Sequence, residues 1–163
     1  MIIRVTEEKD IPACREIYNH EVLHGLATFD TEAKSMEERK AWFDAHNRDH
    51  HPLLTAEIDG QVAGYASLST YRPRTAYNGT VELSVYVSEA FRRHGVASAL
   101  IKELLAIAKA DPDIHNVVSV VTGCNTASIA LHEQFGFTYV GTLHKVGIKF
   151  GQYLDTVEYE MLV

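Results

Sequence analysis

The sequence predicts an α/β (α+β) fold in which one mixed sheet carries helices on its faces. Three observations carry this. Leu53 to Ile58 and Gln61 to Ser69 are strand-like runs joined by Asp59-Gly60, the strongest short-range hairpin signal. Val117 to Thr122 is a nearly unbroken apolar run, the pattern of a buried central strand. Between them, Thr80 to Val87 reads as a strand that feeds a short basic turn and then a helix with an apolar stripe of Val96, Leu100, Leu104, Leu105 and Ala108.

The remaining elements follow in order. Ile2 to Val5 is β-prone, and Thr6 is expected to cap a helix on which Ile11, Cys14, Ile17, Tyr18 and Val22 recur at helical spacing. A turn-rich link through Gly25 leads to Ser35-Met36-Glu37-Glu38, a capping box that opens a second helix bearing Trp42 and Phe43. After the hairpin comes a loop with Arg72-Pro73-Arg74, and Asp111-Pro112 ends the third helix. Thr126 to Phe135 is a short helix stopped by Gly136, and Thr138 to Leu143 and Tyr153 to Leu162 are the closing strands. No repeat, low-complexity tract or linker breaks the order β-α-α-β-β-β-α-β-α-β-β. With 163 residues and 46% hydrophobic content, the chain is expected to form a single domain over residues 1–163.

A formal net charge of -7 argues against broad nucleic-acid binding, which draws most of its affinity from a basic face. An anionic ligand must then be held locally. Cys14 and Cys124 lie far apart without metal-ligand spacing, and the N-terminus shows neither the charged nor the apolar region of a secretory signal. A reduced, cytoplasmic protein is expected. Membrane insertion is not, because no run approaches the ~20 apolar residues that span a bilayer. His46, His50 and His51 have no acidic or cysteine partner in sequence, so they read as solvated imidazoles and no metal is expected.

The chemistry concentrates after Val87. In Val85-Tyr86-Val87-Ser88-Glu89-Ala90-Phe91-Arg92-Arg93-His94-Gly95-Val96-Ala97, a turn of the form Arg-x-x-Gly-x-Ala starts a helix. Backbone N–H groups there point outward at the positive end of the helix dipole, and Arg92 and Arg93 add full charges, which suits a pyrophosphate. The Gly-x-x-x-x-Gly-Lys-Ser/Thr and Gly-x-Gly-x-x-Gly loops are both absent, which lowers ATP and NAD in rank. A second polar block starts where the buried strand ends: Asn125, with Ser128 and His132 four apart on one helical face. Ligands of open α/β sheets lie beyond the carboxyl ends of strands, so both blocks could face one crevice.

With both blocks in view, the chain resembles the GNAT superfamily of N-acetyltransferases and, within it, the phosphinothricin acetyltransferase-like group. Further matching pieces are Tyr18-Asn19-His20, Thr28-Phe29, Ala56 to Gly64, Arg72 to Tyr77, Thr80-Val81-Glu82, Val85 to Ser88 and Gly147 to Gly151. The resemblance implies a mostly antiparallel sheet splayed in a V between strands 4 and 5, with helices on both faces. It also implies acetyl-CoA as co-substrate, its pyrophosphate on the turn Arg92, Arg93, His94, Gly95, Val96, Ala97 and Ser98. The pantetheine arm would lie beside Val85, Tyr86 and Val87 and bond to Asn125, near Ser128. Within the turn, Arg92 stands where glutamine is common and Ala97 where glycine is common.

The same resemblance makes Glu82 the general base, a role burial would favour by raising its pKa. It places His132 as a proton donor, an acceptor ligand or both. Arg72 and Arg74 would clamp the carboxylate of an amino-acid acceptor, assisted by Lys149 or Tyr77, with Thr28 and Phe29 lining the pocket. The small-molecule amine substrate is expected to be an amino acid of the methionine sulfoximine, methionine sulfone or phosphinothricin type. Leu83 and Gly79 replace residues of phosphinothricin-detoxifying members, so the herbicide itself is expected to be a poorer substrate. A homodimer is also implied. The alternatives are acetylation of a protein N-terminus or lysine, and a non-catalytic acyl-CoA sensor.

Overall fold

Asp59 and Gly60 take positive φ, 50° and 77°, the left-handed pair that a two-residue hairpin turn requires, and the flanking runs pair across them from Leu53↔Ser67 to Ile58↔Gln61. In the computed structural model, which describes residues 1–163, the chain runs β1 (Ile2–Val5), α1 (Ile11–His24), α2 (Met36–Asp44), β2 (Leu53–Ile58), β3 (Gln61–Thr70), β4 (Thr80–Val87), α3 (Val96–Ala110), β5 (Asn116–Thr122), α4 (Thr126–Gln134), β6 (Thr138–Lys149) and β7 (Gln152–Leu162). One seven-stranded sheet has the order β1-β2-β3-β4-β5-β7-β6, antiparallel except for the β4–β5 pair.

Strand alternation divides the two faces. On β3 and β4, Ala66, Leu68, Val81 and Leu83 enter a core closed by Val96, Leu100, Leu104 and Ala108 of α3. Tyr65 turns the other way, packing with Cys14 and Ile17 of α1 beside Trp42 and Phe43 of α2. The Tyr65 face also carries Ser67 and Ser69, with Ser84 and Glu82 as their cross-strand neighbours. A strongly polar strip thus runs down the middle of the sheet beneath α1 and α2. The capping box of α2 forms as expected, with Glu38 N donating to Ser35 Oγ at 3.1 Å and Ser35 N to Glu38 Oε2 at 2.7 Å.

Three local expectations are corrected. Thr6 does not cap α1; its hydroxyl bonds that of Thr55 at 2.7 Å, and a 3-10 turn at Glu8–Asp10 precedes the helix. Strand β6 does not stop at Leu143 but continues to Lys149 and turns at Phe150 and Gly151, whose φ values are 51° and 72°. Gly147 is a strand residue kept small by Phe29: a Cβ there would sit 2.5 Å from that ring. His46 is not solvated. It is 8% exposed, with Nδ1 2.7 Å from the Trp42 carbonyl and Nε2 2.8 Å from Ser69 Oγ, because α2 ends over the Ser69 face.

Candidate active site

β4 and β5 pair only from Thr80↔Asn116 to Glu82↔Val118. Beyond that register they separate, each keeping its outer neighbour, β3 and β7. The gap is a narrow throat lined by Leu83 to Tyr86, Ser119 to Thr122, Asn125, Ser128 and His132. On one side the throat meets a cleft of about 540 Å³ bounded by Val85, Val87, Arg92, Ala97, Asn125 and Leu131. On the α1–α2 side it meets a polar pocket of about 310 Å³. Tyr86 lines all three spaces and Ser84 lines the throat and the pocket, so the three adjoin across the divergence of β4 and β5 and mark a passage through the sheet.

The cleft ends at the start of α3. Arg93 and Gly95 are left-handed, with φ of 64° and 75°, and no side chain caps the helix. None of the backbone N–H groups from Arg93 to Ser98 finds an acceptor within the chain. Four such donors are normal at any helix start, and the left-handed turn adds two more. Arg92 reaches back to Glu21, and His94 Nδ1 contacts the Arg92 carbonyl at 2.8 Å, which leaves Arg93 as the cation without a carboxylate in the turn. An anion with several oxygens answers this set of donors.

Across the cleft, Asn125 caps α4, its Oδ1 accepting from Ser128 N at 3.1 Å. One turn on, His132 is 2% exposed, edge-on to Phe137 at 5.0 Å and stacked with Tyr159. Its Nδ1 lies 2.7 Å from the Ser128 carbonyl, and a carbonyl only accepts. The tautomer assigned by that bond carries its proton on Nδ1 and a lone pair on Nε2. Nε2 is buried without a partner, and burial lowers the imidazole pKa, offset in part by the Ser128 bond. As a resting neutral ring, His132 offers an acceptor in the throat and no proton to give from that nitrogen.

Glu82 sits at the last paired register, half-buried, where β4 begins to leave β5. Burial raises its pKa above the ordinary glutamate value of 4.5, and the Glu158 carboxylate on β7 raises it further. Glu158 had no signature in sequence. It comes near because Val120, its register partner, follows Val118 on the same face of β5.

The expected acceptor ligands divide. Thr28 is buried, its hydroxyl 2.9 Å from that of Tyr18, and Phe29 rests on Gly147. Arg72 and Arg74 are exposed on the loop after β3, with the Arg72 guanidinium 4.8 Å from the Tyr71 ring centre and 5.8 Å from that of Tyr77. Neither arginine lines the passage. Lys149 is not free to meet a ligand: at 2% exposed, its Nζ donates to the carbonyls of Thr28 at 2.8 Å and Glu21 at 3.0 Å. Its ammonium pins the link after α1. The polar pocket instead holds Arg39 and Trp42, which a charged helical sequence presents as ordinary surface positions.

Comparison with known proteins bears on the family and the fold. The family profile of the Acetyltransferase (GNAT) domain matches residues 3–157. The chain is 37% identical over 155 residues to the L-methionine sulfoximine/L-methionine sulfone acetyltransferase of Salmonella typhimurium, covering 95% of this chain and 90% of that one. It is also 37% identical to the phosphinothricin N-acetyltransferase of Streptomyces coelicolor, over 97% and 94% of the two chains. The solved phosphinothricin acetyltransferase of Sinorhizobium meliloti, in complex with AcCoA, superposes with a TM-score of 0.96 at 33% identity, covering 99% of this chain and 88% of that one. A Brucella melitensis structure described as a ribosomal-protein-alanine N-acetyltransferase gives 0.96 at 39% identity over the whole of both chains.

Proposed function

This chain belongs to the GNAT acetyltransferase family, and on that premise we propose that it acetylates the α-amine of a small amino acid or amino-acid analogue. It is an N-acetyltransferase with acetyl-CoA as donor, and the residues present suit that molecule. The unanswered N–H groups from Arg93 to Ser98 fit its pyrophosphate, and the mostly apolar cleft and open strand edges fit an extended arm with amides. The buried lone pair of His132 Nε2 fits a polar group at the throat. Acetyl-CoA supplies a thioester-bound acetyl group; the protein must supply a neutral amine and stabilise the developing oxyanion.

The observation that carries this reading is the passage itself. It runs from an anion cradle on one side of the sheet to an open polar pocket on the other, and Glu82, a carboxylate of raised pKa, sits at the last paired register of β4 and β5. In the proposed reaction Glu82 takes the proton from the ammonium, directly or through water. The backbone N–H near Val87 polarises the carbonyl, while Asn125 and Ser128 help hold the donor. His132 and Asn125 line the thiolate side, and the departing thiolate takes the second proton that the amine sheds on acylation. Transfer is direct, within a ternary complex. Arg72, Arg74 and Tyr77 form a loop that meets the acceptor carboxylate at the pocket entrance, and Thr28, held by Lys149 and followed by Phe29, supports the wall from behind through its bond to Tyr18. Residues 1–163 act as one N-acetyltransferase domain, cytoplasmic and paired as a homodimer.

Glu82→Gln tests the base. Turnover is expected to fall by about 10²-fold or more while acetyl-CoA affinity, read by calorimetry, is retained; unchanged turnover rejects the assignment. Mass spectrometry of acetylated products across free amino acids, their sulfur and phosphorus analogues and their methyl esters tests the acceptor. Esters that react as well as free acids remove the Arg72 and Arg74 clamp. The Brucella relative motivates a second reading, acetylation of a protein N-terminal alanine. It gains if an alanine-initiated peptide outperforms every free amino acid.

A further inference from the structure

The pocket on the α1–α2 side holds a charge that the proposed chemistry leaves unused. Arg39 is 5% exposed and has no carboxylate partner. Its guanidinium lies 3.6 Å from the Trp42 ring centre, 4.8 Å from that of Tyr18 and 5.5 Å from that of Tyr65. These faces stabilise a cation but offer no acceptor to its in-plane N–H groups. Nη2 donates to the Tyr65 hydroxyl at 3.2 Å, and Nε is buried with no acceptor at all.

The carboxylates of the same pocket are engaged elsewhere. Asp30 accepts from the Tyr18 hydroxyl and lies 3.5 Å from Lys34 Nζ, and Glu38 accepts from Ser35 N within the α2 capping box. Ser67, Ser69 and Ser84 supply hydroxyls along the wall, and Ser84 reaches the throat. A buried guanidinium with a free in-plane N–H, flanked by hydroxyls, is built for an oxyanion. The volume, about 310 Å³, suits an amino-acid side chain.

We propose that this pocket receives the acceptor's side chain and that Arg39 selects one ending in an oxyanion of the carboxylate or phosphinate kind. This rests on the amino-acid reading above. The amine then sits at the throat near Ser84 and Glu82, and the α-carboxylate stays toward the Arg72 loop. Arg39 is a specificity residue here and takes no part in proton transfer.

Two readouts test it. In Arg39→Met, kcat/KM for L-glutamate and phosphinothricin is expected to fall about 10- to 100-fold, as for loss of a charge-assisted hydrogen bond, while that for L-methionine changes less than about threefold. Arg39→Lys, which keeps the charge, recovers part of the loss and serves if the methionine variant does not fold. Trp42, the only tryptophan, touches Arg39, so its emission should respond to dimethylphosphinate in the wild type and not in Arg39→Met. Equal loss for charged and neutral acceptors, or a wild type whose Trp42 emission ignores the phosphinate, overturns the proposal. A wild type that responds to phosphinate but acetylates no amino acid keeps the site and rejects the amino-acid reading instead.

Discussion

Lys149 shows how far a residue's type can mislead about its task. A lysine beside an acceptor pocket suggests a ligand for a carboxylate, yet its ammonium is spent on the Thr28 and Glu21 carbonyls, and burial lowers its pKa. Lys149→Met should leave both carbonyls without their donor and cost about 2–3 kcal/mol in urea unfolding. Because Thr28 and Phe29 hang from that anchor, KM for the acceptor should rise more than kcat falls; a kcat loss at constant KM would place Lys149 in the chemistry instead. Glu82 was singled out by the resemblance, since strand alternation alone reads it as a half-exposed surface position. Arg39 and Glu158 were not, since their partners come from α1, β3 and β5, far away in sequence. His132 was legible as a polar group near the throat. Its tautomer, and hence whether it gives or takes a proton, depended on a bond to the Ser128 carbonyl that no sequence pattern specifies.

Among the elements, those with local causes were readable. The Asp59-Gly60 hairpin, the α2 capping box and the stripe of α3 each follow from chemistry within a few residues. Thr6 and β6 misled for the opposite reason: the Thr55 hydroxyl competes for Thr6, and β6 is carried past Leu143 by its pairing with β7 and by the room Gly147 leaves for Phe29. Gly147→Ala should therefore destabilise the protein by about 1–3 kcal/mol through overpacking, and Phe29→Ala in the same chain should recover part of it. Strict additivity in that double-mutant cycle would show that the ring is not what keeps position 147 small. The cradle makes a separate prediction. Gly95, at φ 75° before α3, has open space for a Cβ, so Gly95→Ala suffers only the backbone penalty, about 1–2 kcal/mol. Any rearrangement that relieves it turns the free N–H groups away. Calorimetry should show acetyl-CoA affinity falling while helix content by circular dichroism is unchanged.

For the whole molecule, the two buried histidines and the bare edge of the sheet carry separate consequences. His46 and His132 are both held neutral, their pKa values lowered first by burial, so below pH 6.5 the unfolded chain binds protons that the folded one refuses. Stability should be fully present above pH 6.5 and fall with acidification by up to about 1.4 kcal/mol per pH unit for each histidine. Glu82 acts in the opposite sense, because its raised pKa lets the folded state take up a proton first. Thermal midpoints between pH 7.5 and 5.5 should thus decline less in His132→Gln than in the wild type. The edge bears on assembly. Tyr139, Val140, Leu143, Val146, Ile148, Phe150 and Tyr153 are all more than half exposed along β6, an edge strand of the sheet, and the start of its neighbour β7. A row of apolar side chains on an edge strand invites pairing with another chain unless it is covered. A second copy would cover it and, through Phe150, brace the Lys149 anchor and the Phe29 contact beside the pocket. Val146→Asp should then convert a dimer to a monomer in sedimentation velocity and raise the acceptor KM, with acetyl-CoA binding at the distant α3 cradle unaffected. A wild type that sediments as a monomer at micromolar concentration would reject the pairing and leave the acceptor wall to be held by Lys149 alone.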